Sequence, residues 1–251
     1  MTKRKFDAIL ACRVGGTRLY GKPLQLLDID NKVTILEYLV EYIKQAKNID
    51  TICLAIADGK ANYGFAELAE KHGWSYVFGE EEDMLGRIIK AADQLGTEIA
   101  FLDSTESPFL YYDRVDELFE QQAREAVHLS SVSELPDGAS FCLVDIESLK
   151  ISHQHAQQRN KELVTSYIFD HQDDFKINMV RPEEKLRRSD IRITVDYPED
   201  LVFCRRVYQD LRGRERLIRL TDIIDYWDAD QQRRRPVEEI GVDWGHGRIW
   251  A

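Results

Sequence analysis

The chain has 251 residues, 43% of them hydrophobic and 31% charged, with a formal net charge of −11. That is enough to bury a real core in one α/β domain or two small ones. The acidic balance argues against nucleic-acid binding through a broad basic face, and no apolar run approaches the ~20 residues needed to span a bilayer.

In chain order, the basic start Met1-Thr2-Lys3-Arg4-Lys5 leads into a short apolar run bounded by Asp7 and Arg13. It reads as a strand over residues 7–12, not as a signal peptide. Behind it lies Arg13-Val14-Gly15-Gly16-Thr17-Arg18-Leu19-Tyr20-Gly21-Lys22-Pro23, with three glycines, two arginines and a lysine. Glycines let backbone N–H groups approach an anion closely, and Arg and Lys supply charge for a phosphate chain. The loop therefore predicts nucleotide binding, although such loops also serve simply to turn the chain. Gly16-x-x-x-x-Gly21-Lys22 fits a P-loop up to its last position, where Pro23 stands in place of Ser or Thr. Proline has no hydroxyl for Mg²⁺ and disfavours helix at Lys22, which counts against an ATPase or GTPase.

Strands follow at 51–57, 75–78 and 98–102, separated by helical patterns at 34–46, 61–72 and 83–95, the last two stopping at Gly73 and Gly96. Strands separated by single helices predict a parallel sheet with right-handed crossovers. Further on come a helix at 113–124, strands at 127–132 and 140–144 joined through the turn Pro136-Asp137-Gly138, and helices at 146–157 and 161–171. Strands at 175–180 and 191–195, a helix at 198–211 with Pro198 in its first turn, and a last helix at 220–229 complete the pattern. The simplest organisation is a single α/β domain over 1–251. Residues 126–181 break the alternation and read as an insertion holding the second substrate. Residues 213–251 form a C-terminal helix and a tail whose Trp244 and Trp250 predict docking on the protein or a second subunit.

Ligands of open α/β sheets lie at the carboxyl ends of the strands. The glycine-basic loop, Asp103-Ser104-Thr105-Glu106-Ser107-Pro108 and Asp196 should therefore share one cleft. Acids at two strand ends could hold Mg²⁺, which is usually bound by one or two carboxylates with phosphate oxygens and water. Asp196 could alternatively cap the helix beginning at Pro198, and Asp103 and Glu106 also precede a helix. Arg87, one turn into the 83–95 helix, could reach the cleft, while the acids ahead of it suit a solvated helix N-terminus. His153-x-His155 lacks an apparent third ligand, and Arg233-Arg234-Arg235 reads as a solvated tail. The cysteines Cys12, Cys53, Cys142 and Cys204 form no Cys-x-x-Cys pair, which fits buried reduced thiols and a cytoplasmic protein.

The stretch from Ala11 to Leu24 resembles the signature of the sugar cytidylyltransferases, the superfamily of the acylneuraminate and 3-deoxy-manno-octulosonate enzymes, and within it the spore-coat polysaccharide group. The likeness extends through Glu82-Asp83-Met84-Leu85-Gly86-Arg87, Pro136-Asp137-Gly138, Thr165-Ser166-Tyr167-Ile168 and the segment from Val195 to Leu201, spanning residues 6–211. The resemblance implies a Rossmann-like nucleotidyltransferase fold (GT-A-like, three-layer α/β/α, mostly parallel sheet), with CTP, Mg²⁺, a sugar or sugar-acid acceptor and commonly a homodimer. It implies that Arg13 and Lys22 hold the triphosphate, with Cys12, Gly15, Gly16, Arg18, Asp83 and Arg87 as further nucleotide contacts. Glu106 and Asp196 are the implied metal ligands, and Asp103, Asp137 and Tyr167 candidate acceptor residues. The sequence departs from the family pattern where Thr105-Glu106 replaces Gly-Asp, Gly16 a serine, Tyr20 a proline and Leu163 a histidine. The expected activity is transfer of CMP from CTP to a sugar, for surface polysaccharide or glycoconjugate synthesis. Two rivals are a glycosyltransferase, whose Asp-x-Asp motif is matched only by Asp28-Ile29-Asp30 in a turn, and a nucleotide-binding homologue that has lost its chemistry.

Overall fold

Phe6, Ala8, Leu10 and Cys12 alternate with Asp7, Ile9 and Ala11, and this period of two places the first strand, β1 (Phe6–Cys12), in the middle of a sheet covered on both faces. The computed structural model describes residues 4–16, 18–155, 157, 161, 163–213 and 217–229. In chain order, β2 (Leu26–Asp28), β3 (Val33–Thr34), α1 (Ile35–Ile43), β4 (Ile52–Ala57), α2 (Tyr63–His72), β5 (Ser75–Gly79), α3 (Met84–Leu95) and β6 (Ile99–Leu102) come next. Then come α4 (Val115–Glu125), β7 (Leu129–Val132), β8 (Cys142–Asp145), α5 (Ile146–His155), α6 (Ser166–Asp170), β9 (Ile177–Val180), α7 (Pro198–Leu211) and α8 (Leu220–Ala229).

The main sheet has seven strands in the order β5-β4-β1-β6-β8-β7-β9. All neighbours pair parallel except β8, which runs antiparallel to both β6 and β7. One face packs on α1, α2, α4, α7 and α8 through Leu39, Phe65, Leu118, Phe203 and Ile223; the other packs on α3, α5 and α6 through Ile88, Leu149 and Ile168. This is the three-layer α/β/α fold that the resemblance implies, built on the mostly parallel sheet expected from the strand–helix alternation. Residues 126–181 supply β7, β8 and β9, which continue the same sheet. The sequence at 213–251 is described only at 213 and 217–229, so the tail and its tryptophans lie outside the described residues, as does part of the expected 161–171 helix.

Two local expectations need correction. The strand expected at 191–195 is an extended segment making one isolated bridge, Asp137 to Arg192, and it joins no sheet. Its alternation of Ile191, Ile193 and Val195 is real, since all three are fully buried, but its backbone pairs with loops rather than with a neighbouring strand. The β2–β3 hairpin was not anticipated. Its strands are too short to show a period, and it is pinned by Asp28, which accepts bonds from the Asn31 side chain at 2.8 Å and the Tyr208 hydroxyl at 3.0 Å.

Candidate active site

From β1 the chain runs to β4 and β5 on one side, then returns through α3 to β6 on the other. Strand order therefore reverses between the carboxyl ends of β1 and β6, where open α/β sheets hold ligands. Three segments close over this point.

The first is the glycine-basic loop after β1. The Val14 N–H donates to Asn62 Oδ1 at 2.8 Å, and the Gly21 N–H to the Val14 carbonyl at 2.9 Å. A Cβ at Gly16 would lie 2.7 Å from the Leu19 carbonyl oxygen, so this fold-back requires glycine. Lys22–Leu24 makes a single 3₁₀ turn with Pro23 in it, unlike the long helix that opens at a P-loop lysine. Arg13, Gly15, Gly16 and Arg18 are all exposed along this loop. Among the described residues no ion pair engages Arg13.

The second segment follows β6. The Thr105 hydroxyl donates to the Ala11 carbonyl at 3.1 Å, tying this loop to the end of β1. The third is the 191–196 segment. Its backbone exchanges bonds with Asp137 at 2.8 Å, and the Val195 N–H donates to the Glu106 carbonyl at 3.1 Å. That last bond sets Asp196 beside Glu106. The turn at Pro136-Asp137-Gly138 approaches so closely that a Cβ at Gly138 (φ +93°) would lie 2.7 Å from the Thr194 nitrogen.

The side chains converge accordingly. Lys22 Nζ lies 2.9 Å from Glu106 Oε2 and 2.7 Å from Asp196 Oδ1. Arg18 pairs with the same Asp196 oxygen at 3.2 Å and lies over the Tyr197 ring, 4.9 Å from its centroid. The other Asp196 oxygen accepts from Arg192, whose guanidinium also reaches Asp137 at 2.7 Å and Asp200 at 3.5 Å. Asp196 does not cap α7. Tyr197 stands at the N-cap position, and Asp200 in the first turn reaches back to accept the Asp196 and Tyr197 N–H groups at 2.8 and 2.9 Å. Burial disfavours ionisation of Asp196, but Lys22 and then Arg192 outweigh it and hold the carboxyl below its ordinary range. At Glu106 burial wins over Lys22 and raises the pKa.

Other predicted residues sit elsewhere. Cys12 is fully buried, and burial pushes its thiol pKa up, so no thiol is offered to a ligand. Asp83 caps α3, accepting the Gly86 N–H at 2.8 Å, and pairs with His153 at 2.7 Å. Arg87 is buried, and it donates to the carbonyls of Glu80 and Glu81 at 2.6 and 2.7 Å and of Ala55 at 3.3 Å. Both therefore brace the loop after β5. The Asp103 carboxyl is buried beneath the second segment, which drives its pKa well up. Tyr167 stacks on His171 with centroids 4.0 Å apart, outside the ion network. Asp28 and Asp30 pair with Arg212 at 3.2 and 3.3 Å, so the Asp-x-Asp sequence serves the hairpin. Sequence reasoning missed Asn62 and Arg192. Asn62 carries no pattern beyond a residue before a helix. Arg192 had one usable signal, its place opposite buried Ile191 and Ile193 in an alternating run four residues ahead of Asp196.

The residues fit a divalent cation. Two carboxylates from separate segments already converge on one cation, the Lys22 ammonium, which matches the carboxylate pair that Mg²⁺ takes alongside phosphate oxygens. Among the described residues no group of three or more His, Cys, Asp or Glu could hold a metal, so the remaining ligands would come from substrate and water. No helix among those residues is long and apolar enough to cross a membrane.

Residues 8–222 match the family described as Cytidylyltransferase. The spore coat polysaccharide biosynthesis protein SpsF of Bacillus subtilis is 24% identical over 211 residues, covering 80% of this chain and 85% of that protein. A cytidylyltransferase from Leptospira borgpetersenii superposes with a TM-score of 0.82 at 19% identity, covering 92% of this chain and 96% of the other. A CMP:2-keto-3-deoxy-manno-octonic acid synthetase complexed with CTP has a TM-score of 0.63 at 12% identity, covering 82% and 99%.

Proposed function

The chain belongs to the cytidylyltransferase family and is a nucleotidyltransferase; from that premise we propose that it transfers CMP from CTP to a sugar or sugar-acid acceptor. One observation carries the site assignment: Lys22 is held between Glu106 and Asp196 under an exposed glycine-basic loop. An acceptor oxygen attacks the α-phosphorus, the bond to the β-phosphate oxygen breaks, and pyrophosphate leaves with that electron pair. The acceptor proton passes to solvent or a carboxylate. Such transfers depend on positioning and charge stabilisation rather than on a covalent intermediate.

Arg13 and Lys22 bind the triphosphate and offset the charge growing on the leaving pyrophosphate, with Gly15 and Gly16 lending backbone N–H donors. Arg18 closes the outer side from its place over Tyr197. Glu106 and Asp196 would hold Mg²⁺, which supplies neutralisation of phosphate charge. When Lys22 turns from the carboxylates to the phosphates, Glu106 and Asp196 lose the cation they share, so metal and nucleotide should bind together. Asp137, at the turn beside this network, is the candidate acceptor contact. The glycosyltransferase reading loses its motif, because Asp28 and Asp30 are committed to the hairpin. A neighbour complexed with CTP supports the nucleotide, and the place of SpsF in spore coat polysaccharide biosynthesis supports a product used in polysaccharide synthesis.

Calorimetric titration of CTP, UTP, GTP and ATP, each with and without Mg²⁺, tests this reading. The expected result is CTP-selective binding strengthened by Mg²⁺, followed by pyrophosphate release when the correct acceptor is added. Indifference to the base, or binding unaffected by Mg²⁺, would overturn it.

A further inference from the structure

Arg192 lies outside the glycine-basic loop and outside the carboxylate pair, yet it ties three stretches of the site's framework together. Its side chain is 9% exposed, and it meets carboxylates on three stretches of chain: Asp137 in the turn, Asp196 at the end of its own segment, and Asp200 in the first turn of α7. Arg192 pairs with Asp196 through Oδ2, while Oδ1 faces Lys22 at 2.7 Å. With one oxygen claimed by a buried guanidinium, Asp196 presents a single oxygen to any cation in the site.

We infer that Arg192 is a positioning residue that holds Asp196 as a one-oxygen ligand and thereby sets which divalent cation the site accepts. The inference rests on the reading of Glu106 and Asp196 as metal ligands. The chemistry follows from ion size. Mg²⁺ and the similarly sized Mn²⁺ suit a near-octahedral site with one oxygen per carboxylate, whereas Ca²⁺ takes more oxygens and accepts two from one carboxylate. A freely rotating Asp196 could offer both oxygens; the guanidinium prevents this. The planar fork also joins Asp196 to Asp137, which a lysine cannot do with the same geometry.

The test is Mn²⁺ binding in the presence of CTP and absence of acceptor, followed by electron paramagnetic resonance, with Ca²⁺ as competitor. In Arg192→Gln the Mn²⁺ affinity should fall by roughly 10- to 100-fold, the usual effect of removing an outer-shell partner. Ca²⁺ should displace Mn²⁺ more readily than from the wild type, and metal-free CTP affinity should stay unchanged. Arg192→Lys keeps the buried charge, so it should melt near the wild type while showing the same loss of discrimination; it decides the matter if the glutamine variant does not fold. Wild-type Mn²⁺ affinity and Ca²⁺ competition in a folded Arg192 variant would overturn the inference. Glu106→Gln and Asp196→Asn run in the same assay separate the two claims. If they leave Mn²⁺ binding intact, the metal assignment fails and this inference with it; if they abolish it while both Arg192 variants bind normally, only the positioning role fails.

Discussion

Glu37 and Asp196 are both buried carboxylates flanked by cations, yet they are held in different ways. Glu37 Oε2 accepts the Thr34 N–H at 2.8 Å and its hydroxyl at 2.9 Å, while Oε1 faces Lys71 at 2.8 Å and His72 at 2.7 Å. Half of its bonding comes from Thr34, which caps α1, and cannot leave without breaking the helix start. Asp196 and Glu106 are held by Lys22, Arg18 and Arg192, and no backbone donor reaches either carboxylate among the described residues. Lys22 and Arg18, on long side chains, can let go when a phosphate chain offers them another partner, while the buried Arg192 stays. The number of charges does not distinguish a structural cluster from a working site; the freedom of their partners to exchange does.

The sharpest way to break that distinction is Lys22→Ala. Loss of a charge that stabilises the transition state should lower turnover on the order of 10³-fold, measured as pyrophosphate release with CTP and a competent acceptor. The fold should survive, because Asp196 keeps Arg192 and Arg18, and Glu106, whose pKa burial already raises, can take up a proton. Retained turnover would remove Lys22 from the chemistry. A collapsed melting transition would show instead that the cluster is as structural as the one around Glu37.

Glu37→Gln should show the reverse: turnover unchanged and stability down by about 2 kcal/mol, the scale of hydrogen bonds to a charged group. A thermal melt would then shift by roughly 4–8 °C. The pH dependence has a definite sign. Burial opposes ionisation of Glu37, but Lys71, the Thr34 N–H and His72 outweigh it and bring its pKa down to about 2 from 4.5. Its contribution is therefore fully present above about pH 4.5 and fades as pH falls toward 2. The gap between wild type and Glu37→Gln should narrow over that window; a gap constant across it would contradict the charge-based account.

The two clusters were also unequally legible in the sequence. The glycine-basic loop, Glu106 and Asp196 follow strands or apolar runs, so topology alone gathers them at one end of the sheet. The 34–46 helical pattern does not single out Thr34 and Glu37 as a cap, although a Thr three residues ahead of a Glu is the spacing of a capping box. Arg192 sits near Arg187, Arg188 and Asp190, where a charge reads as surface, and its burial depends on Asp137, 55 positions earlier. Asp83 and Arg87, which the resemblance implies as nucleotide contacts, serve local needs in the structure: a helix start needs a cap and the loop's carbonyls need a donor, and these residues supply them. The 191–195 run shows the limit of periodicity, which reports that a segment is extended and half facing the core, but not what its backbone pairs with.

The smallest predicted effect on stability, and the one that sharpens the comparison most, belongs to Glu106→Gln. Burial raises the Glu106 pKa despite Lys22, so the fold favours the protonated form. Its contribution to stability is greatest below the ordinary value of 4.5 and is lost as pH rises through the raised one. At neutral pH the charged group thus works against folding, opposite in sign to Glu37, and a glutamine imitates its protonated form. The variant should melt at or above the wild-type temperature at neutral pH, with any advantage disappearing as pH is lowered through the carboxylate range. Its Mg²⁺-dependent CTP binding should be lost over the same conditions. A group that costs stability and is needed for ligand is what a site tuned for function rather than for folding contains. A drop in melting temperature as large as that of Glu37→Gln would place Glu106 among the structural carboxylates and leave Asp196 as the sole acid of the site.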